Sequence, residues 1–413
     1  MNRRDFLLMS TAASVAPLAL WRAAAAEGNG ASGVGSTRLV VILLRGAVDG
    51  LNVVVPYGEE SYYAARPTIA IAKPNTADEG AALALDEHFA LHPALAAVMP
   101  LWQANQLAFV HAAGSPDPTR SHFDAQLFIE NGTPGRRVTE DGWINRLVAS
   151  LPGPHGPADA LAIGPTLPFI LKGKAAAANL PLGPAATRKL AIDRPEVAAA
   201  FDRLYDGDDP VGRAYRDGRA ARTELTASMN PEQQMADGGA PPANDLPAQA
   251  TRLAGLLSKD RRIRIAFAAL GGWDTHVRQG GHTGQLANRL RPLGEGLATL
   301  AQGLGPNWAD TVVVVLSEFG RTVHENGDAG TDHGHGNVMW VMGGPVRGGR
   351  VYGEWPGLAP AALYEGRDLA VTTDYRNVLA AVIARHMRLP DRALAEIFPG
   401  LPPAHSEVDR IIA

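Results

Sequence analysis

Residues 311–316 read Thr-Val-Val-Val-Val-Leu, and residues 38–44 read Arg-Leu-Val-Val-Ile-Leu-Leu. Neither run alternates apolar with polar, so a strand built from either one has no face to give to water. Strands covered on both faces belong to parallel sheets sandwiched between helices. Further strand candidates follow at 107–111 and 262–270. Helical spacing is clear in Gly284–Leu304, with Leu286, Leu290, Leu293, Leu297 and Leu300 on one side, and in Asp374–Arg388. Ala90–Trp102 also has helical spacing, through Leu91, Leu95, Val98 and Leu101. Ser121–Glu130 opens with a capping serine and an acid three residues on. Strands alternating with helices predict an α/β fold with a mostly parallel central sheet flanked by helices.

The N-terminus predicts export. Arg3-Arg4 precede a nearly uncharged run from Phe6 to Trp21 that closes on Ala23–Ala26, the order of a signal peptide. The run is short for a membrane span, and Glu27-Gly28-Asn29-Gly30 makes a polar flank, so cleavage after Ala26 is expected rather than an uncleaved anchor. Paired arginines point to the twin-arginine translocase, which moves folded proteins, and to a periplasmic or envelope location. The chain then divides into a signal peptide at 1–26, a linker at 27–37 and one α/β domain at 38–413. A flexible insert near 206–247 is expected there, rich in Gly, Asp, Pro, Ala and Gln.

Composition narrows the chemistry. Removing residues 1–26 takes away Arg3, Arg4, Arg22 and Asp5 and moves the formal net charge from −4 to −6. That balance offers nothing to a nucleic acid. With no cysteine, an oxidising compartment can add no disulfide, and neither a thiolate metal ligand nor a cysteine nucleophile is available. His, Asp, Glu, Ser and Thr remain.

These residues collect directly after the strands, where open α/β sheets bind their ligands. Arg45-Gly46-Ala47-Val48-Asp49-Gly50 follows the first strand, Gly271-Gly272-Trp273-Asp274-Thr275-His276 follows the third, and Ser317-Glu318-Phe319-Gly320-Arg321-Thr322 follows the valine run. A glycine-rich loop supplies Thr331-Asp332-His333-Gly334-His335-Gly336. Burial disfavours carboxylates that lack a cation or an opposite charge, so four such groups at sheet ends point to a bound cation. In an extended segment His333 and His335 would place both rings on one side of the backbone, and with Asp332 they suit zinc or manganese. Asp274 either ligates with His276 or caps a helix, and Glu318 either ligates or pairs with Arg321 or Arg45. Ser121, at a helix start beside free amide groups, is a candidate nucleophile as well as a cap.

The set of Arg45–Asn52, Arg120–Gln126, Gly271–His276, Ser317–Thr322 and Asp332–Gly336 resembles a large, uncharacterised, twin-arginine-exported bacterial family with a domain of unknown function. That family is grouped with sulfatases and alkaline phosphatases. The resemblance covers nearly the whole mature chain and implies the alkaline-phosphatase-like fold, in which such groups hold two metals around a phosphate or sulfate ester. Carried over, those roles fall on Asp49, Ser121, Asp274, His276, Glu318, His333 and His335, with Arg45, Arg120 or Arg321 neutralising the leaving charge. The implied activity is a metal-dependent hydrolase or transferase acting on a small or polymer-borne anionic ester, using zinc, manganese or calcium. Phe319 stands where that superfamily often has a ligating histidine, and Pro116-Asp117-Pro118-Thr119-Arg120 lacks the first residue that formylglycine formation needs. The second departure argues against formylglycine sulfatase chemistry. The alternative is a non-catalytic envelope binding or assembly protein on the same fold.

Overall fold

The computed structural model describes residues 37–164, 166–180, 240–403 and 407–413, together with Arg203 and Asp237. The expected signal peptide at 1–26 and nearly all of the linker lie outside them. So does most of the expected insert, of which only Asp237 and 240–247 are described.

β1 (Arg38–Leu44) is buried along its whole length. A three-stranded antiparallel sheet follows, from β2 (Val54–Val55), β3 (Leu83–Ala84) and β4 (Ala90–Leu91). The main sheet continues with β5 (Leu107–Gly114), β6 (Ala160–Ile163), β7 (Ala178–Leu180), β8 (Ile265–Leu270), β9 (Thr311–Ser317), β10 (Asn337–Gly343), β11 (Val351–Tyr352) and β12 (Thr373–Asp374). Its order is β11-β5-β10-β9-β1-β8-β6-β7, with β12 beside β5. Only β10 runs against the rest, pairing antiparallel with β5 and β9. The valine run forms β9, paired in register with β1 from Arg38–Thr311 to Leu44–Ser317.

Alternate residues of these strands enter two apolar layers. Leu39, Val41, Leu43, Val312 and Val314 face α2 (Trp143–Ser150), α5 (Tyr375–His386) and α6 (Asp391–Ile397). Val40, Ile42, Leu44, Val313 and Val315 face α3 (Leu246–Lys259) and α4 (Gln285–Leu304). Each fully buried Val or Leu contributes roughly 1.5–3 kcal/mol relative to exposure, so two covered faces make this sheet the stable frame of the molecule. On α4 the predicted leucines 286, 290, 293, 297 and 300 are all buried. The helical spacing of Ala90–Trp102 is overridden at its start: Ala90 and Leu91 pair with β2 and β3, and Pro93 opens a 3-10 turn before a short helix at Met99–Gln103.

α1 (His122–Asn131) begins after β5, and Ser121 caps it by accepting from the Asp124 amide at 3.4 Å. The C-terminal ends of β1, β5, β8 and β9 and the start of β10 therefore meet along one edge of the sheet.

Candidate functional site

Four side chains from three loops converge at that edge. His122 is the first residue of α1, Asp274 and His276 follow β8, and His333 lies in the crossing from β9 to β10. His333 pairs antiparallel with Arg321 and is thereby folded back over the end of β9. His122, Asp274 and His333 each place one ligand atom within 4.8 Å of the others. The Nε2 atom of His333 lies 3.0 Å from that of His122 and 2.9 Å from that of His276. Asp274 Oδ1 is 3.6, 3.0 and 3.5 Å from Nε2 of His122, His276 and His333. Tetrahedral ligands at zinc distances would be about 3.3–3.4 Å apart, within the spread of these separations.

What stands behind each ring explains the convergence. His122 Nδ1 faces Glu318 Oε1 at 2.8 Å, His276 Nδ1 faces Asp332 Oδ1 at 3.1 Å, and His333 Nδ1 faces the Arg120 carbonyl at 2.8 Å. An oxygen acceptor at Nδ1 keeps the proton there and leaves the Nε2 lone pair free, the arrangement that orients metal-bound histidines. Three lone pairs and a carboxylate oxygen facing one another repel unless a cation lies among them. The donor set therefore fits a divalent ion.

Charge around the cluster agrees. Burial works against a proton on His122, yet Asp274 and Glu318 outweigh it and raise the ring to about 9. Asp274 is buried, which alone would raise it, but the three imidazoles and Arg321 hold it far below the usual carboxylate range. Glu318, buried completely, is still lowered to about 2 by His122 and Gln126. The negative field that favours a proton on His122 also favours a cation among the Nε2 atoms.

Several expected ligands occupy other places. Glu318 points away from the cluster centre and accepts from the Gly46 amide at 2.7 Å, Gln126 at 3.0 Å and Ser317 at 2.9 Å as well as from His122. Asp332, with Asn326 donating to it at 3.0 Å, stands behind His276. Asp49 is sealed in a separate network with Arg66 and Gln279. His335 does not share a side with His333, because the backbone bends there; its ring lies against Tyr364, with centroids 4.6 Å apart. Phe319 cannot ligate, but it packs against the rings of His122 and His333.

The three arginines are all engaged. Arg321 is buried and donates to the carbonyls of Gly46, Ala47, Trp273 and Thr331 and to Asp274, tying the loop after β1 and the two loops that carry Asp274, His276 and His333 to one guanidinium. Arg45 pairs with Glu130. Arg120 pairs with Glu365 and Asp368, each at 2.6 Å. Gly46 is required where it stands: its φ is +112°, and a Cβ there would lie 2.7 Å from the Asp274 amide nitrogen.

His122 is the ligand that sequence reasoning missed. The signal was present, since it follows Ser121 in the Arg120–Gln126 segment, but nothing local says that the first ring of a helix meets Glu318 from 196 positions away. Ser121 is exposed and is bracketed by the cluster: the residue before it bonds His333 through its carbonyl, and the residue after it is His122.

Solved structures similar to this chain include that of Ps i-CgsB in complex with k-i-k-neocarrahexaose, at 10% identity over 86% of this chain and 73% of that one, with a TM-score of 0.37. The PsFucS1 sulfatase from Pseudoalteromonas sp. gives 12% identity over 91% and 72%, with a TM-score of 0.39. The lipoteichoic acid synthase LtaP from Listeria monocytogenes gives 11% over 78% and 68%, with a TM-score of 0.33. No curated protein matches the sequence. The match that spans the chain is to a family model covering residues 36–398, and the chain belongs to that family, described as Protein of unknown function (DUF1501).

Proposed function

We propose that the protein is an exported, metal-dependent hydrolase or transferase of phosphoric or sulfuric esters. One observation carries this reading: three imidazoles, each tied through Nδ1 to an oxygen, aim Nε2 at a common place beside Asp274. His122, His276, His333 and Asp274 would hold one divalent cation. Imidazole-rich ligation suits zinc or manganese better than calcium, which takes oxygen ligands. A second cation held by Asp49 has no place in this arrangement, because Arg66 already neutralises that carboxylate.

Held by His122, His276, His333 and Asp274, a divalent cation would supply Lewis-acid polarisation of an ester oxygen. Glu318, Asp332 and the Arg120 carbonyl keep three rings in one tautomer and orientation. Arg321 holds Asp274 and the loops around it, and Phe319 walls the rings from behind. The exposed hydroxyl of Ser121 lies at the open side, next to the amides that begin α1, where an anionic group is favoured. Ser121→Ala should therefore abolish turnover of an aryl phosphate or sulfate ester. Loss of the cap alone costs about 1 kcal/mol, so the fold should survive. Assays of the metal-loaded protein, with melting curves of both forms, check this; unchanged turnover in the variant would remove Ser121 from the chemistry.

A second reading, a non-catalytic envelope binding protein, is favoured by the engagement of Arg45, Arg120 and Arg321 with carboxylates. Wild-type protein that binds a cation yet turns over no ester with zinc or manganese would select it.

A further inference from the structure

Two of the loops that bring ligands to the cluster are tied to one buried side chain. Gln279 Oε1 accepts from Thr275 Oγ1 at 2.7 Å and from Thr331 Oγ1 at 2.9 Å. Thr275 stands between Asp274 and His276, and Thr331 directly precedes Asp332 and His333. Behind Gln279 the chain of bonds continues. Its Nε2 donates to Asp49 Oδ2 at 2.6 Å, and Arg66 clamps Asp49 with two bonds of 2.6 and 3.0 Å. Arg66 also donates to the carbonyls of Thr322 and Val323 and shares Asn52 Oδ1 with Tyr62. Asp49, Arg66, Gln279 and Thr331 are wholly buried, and Thr275 is 1% exposed.

The chemistry of position 279 is specific. A carboxylate neighbour demands a donor and two hydroxyl donors demand an acceptor, and an amide supplies both ends in one rigid plane. A network of this kind, dry and with its polar groups paired, permits little drift between the segments it joins. The Thr331 amide also donates to the Thr275 carbonyl at 3.2 Å, and the two hydroxyl bonds to Gln279 brace that contact between the Asp274–His276 and Asp332–His333 segments.

We propose that Gln279, gripping Thr275 and Thr331 and anchored through Asp49 to Arg66, is a positioning device that fixes the two ligand segments at cation-binding separation. The proposal rests on the cation reading given above. Its consequence is that the two hydroxyls govern cation affinity although neither touches the cluster centre.

Thr→Val keeps the side-chain shape and removes only the hydroxyl. Thr275→Val and Thr331→Val, titrated with cobalt(II) alone against a chromogenic chelator, should each weaken cation binding by about tenfold, the lower range for residues behind metal ligands. The absorption spectrum of the bound cobalt should shift with them. Thr275→Ser and Thr331→Ser, which keep the hydroxyl, should restore both affinity and spectrum. Thr311→Val is the control: it removes a buried hydroxyl bonded to the Asn307 carbonyl at the far end of β9, and should lower the melting temperature with cobalt affinity unchanged. If Thr275→Val and Thr331→Val behave like Thr311→Val, the network is only structural and the proposal is overturned. Wild-type protein that takes up no cobalt would instead overturn the cation reading, and this inference with it.

Discussion

At the scale of single residues, hydrogen-bond partners separate the histidines that serve the cluster from those that serve the fold. His111 lies wholly inside the molecule, its Nε2 donating to the Val54 carbonyl at 2.9 Å and its Nδ1 accepting from the Ala112 amide at 3.1 Å. His92 is built the same way, between the Gly281 carbonyl and the Ala94 amide. Burial pushes both down to about 4. The unfolded chain, with histidines near 6.5, takes up these protons first as pH falls. The stability they confer is therefore complete above about pH 6.5 and is lost toward pH 4, on the order of 3 kcal/mol for each ring. Urea unfolding at pH 7 and pH 5 should show wild-type stability falling, and His111→Asn, which cannot take a proton there, should show a dependence shallower by ~2 kcal/mol. Equal slopes for the two proteins would contradict the assignment. The sequence marks where polar residues gather, and it points to Asp274, His276 and His333. It does not separate a carboxylate that binds a cation from one that binds an imidazole, because Glu318 and Asp332 have the same composition in either role.

At the scale of elements, the legible parts are those whose environment is uniform along their length. β1, β9 and α4 bury whole faces, and their patterns say so. β10 is as apolar as β9, but no local pattern shows that it runs antiparallel or that the histidine loop before it doubles back along Arg321. Ala90–Leu91, expected to begin a helix, is a strand because tertiary pairing with β2 and β3 overrides the local spacing. The doubled-back loop depends on close backbone approach at Gly320, whose amide donates to the His335 carbonyl and whose carbonyl accepts from the Gly334 amide. A Cβ at Gly320 would lie 1.8 Å from the Gly336 carbonyl oxygen, and backbone cannot yield as a flexible side chain does. Gly320→Ala should cost at least about 1–3 kcal/mol of stability and should displace His333, lowering cobalt affinity. Gly156→Ala, where a Cβ meets nothing within 4 Å, should do neither. Calorimetry and cobalt titration of the two variants make the comparison, and similar behaviour would refute the role given to Gly320.

For the whole molecule, a cysteine-free chain draws its stability from the two apolar layers, and among the described residues no helix is long and apolar enough to cross a membrane. Export by the twin-arginine route, proposed from residues 1–26, predicts that Arg3→Lys with Arg4→Lys leaves precursor in the cytoplasm. Secretion that persists in a strain without that translocase would refute it. Folded export suits a site whose ligands come from α1, the β8 loop and the β9–β10 crossing, since such a site exists only once the sheet has formed. The central claim is that this edge of the sheet holds one divalent cation. Elemental analysis of the purified protein, with His122→Ala and His333→Ala alongside it, should find close to one zinc or manganese ion per chain in the wild type and a marked loss in both folded variants. A folded wild type that carries no cation and takes none up from solution, or variants that retain it fully, would contradict the account.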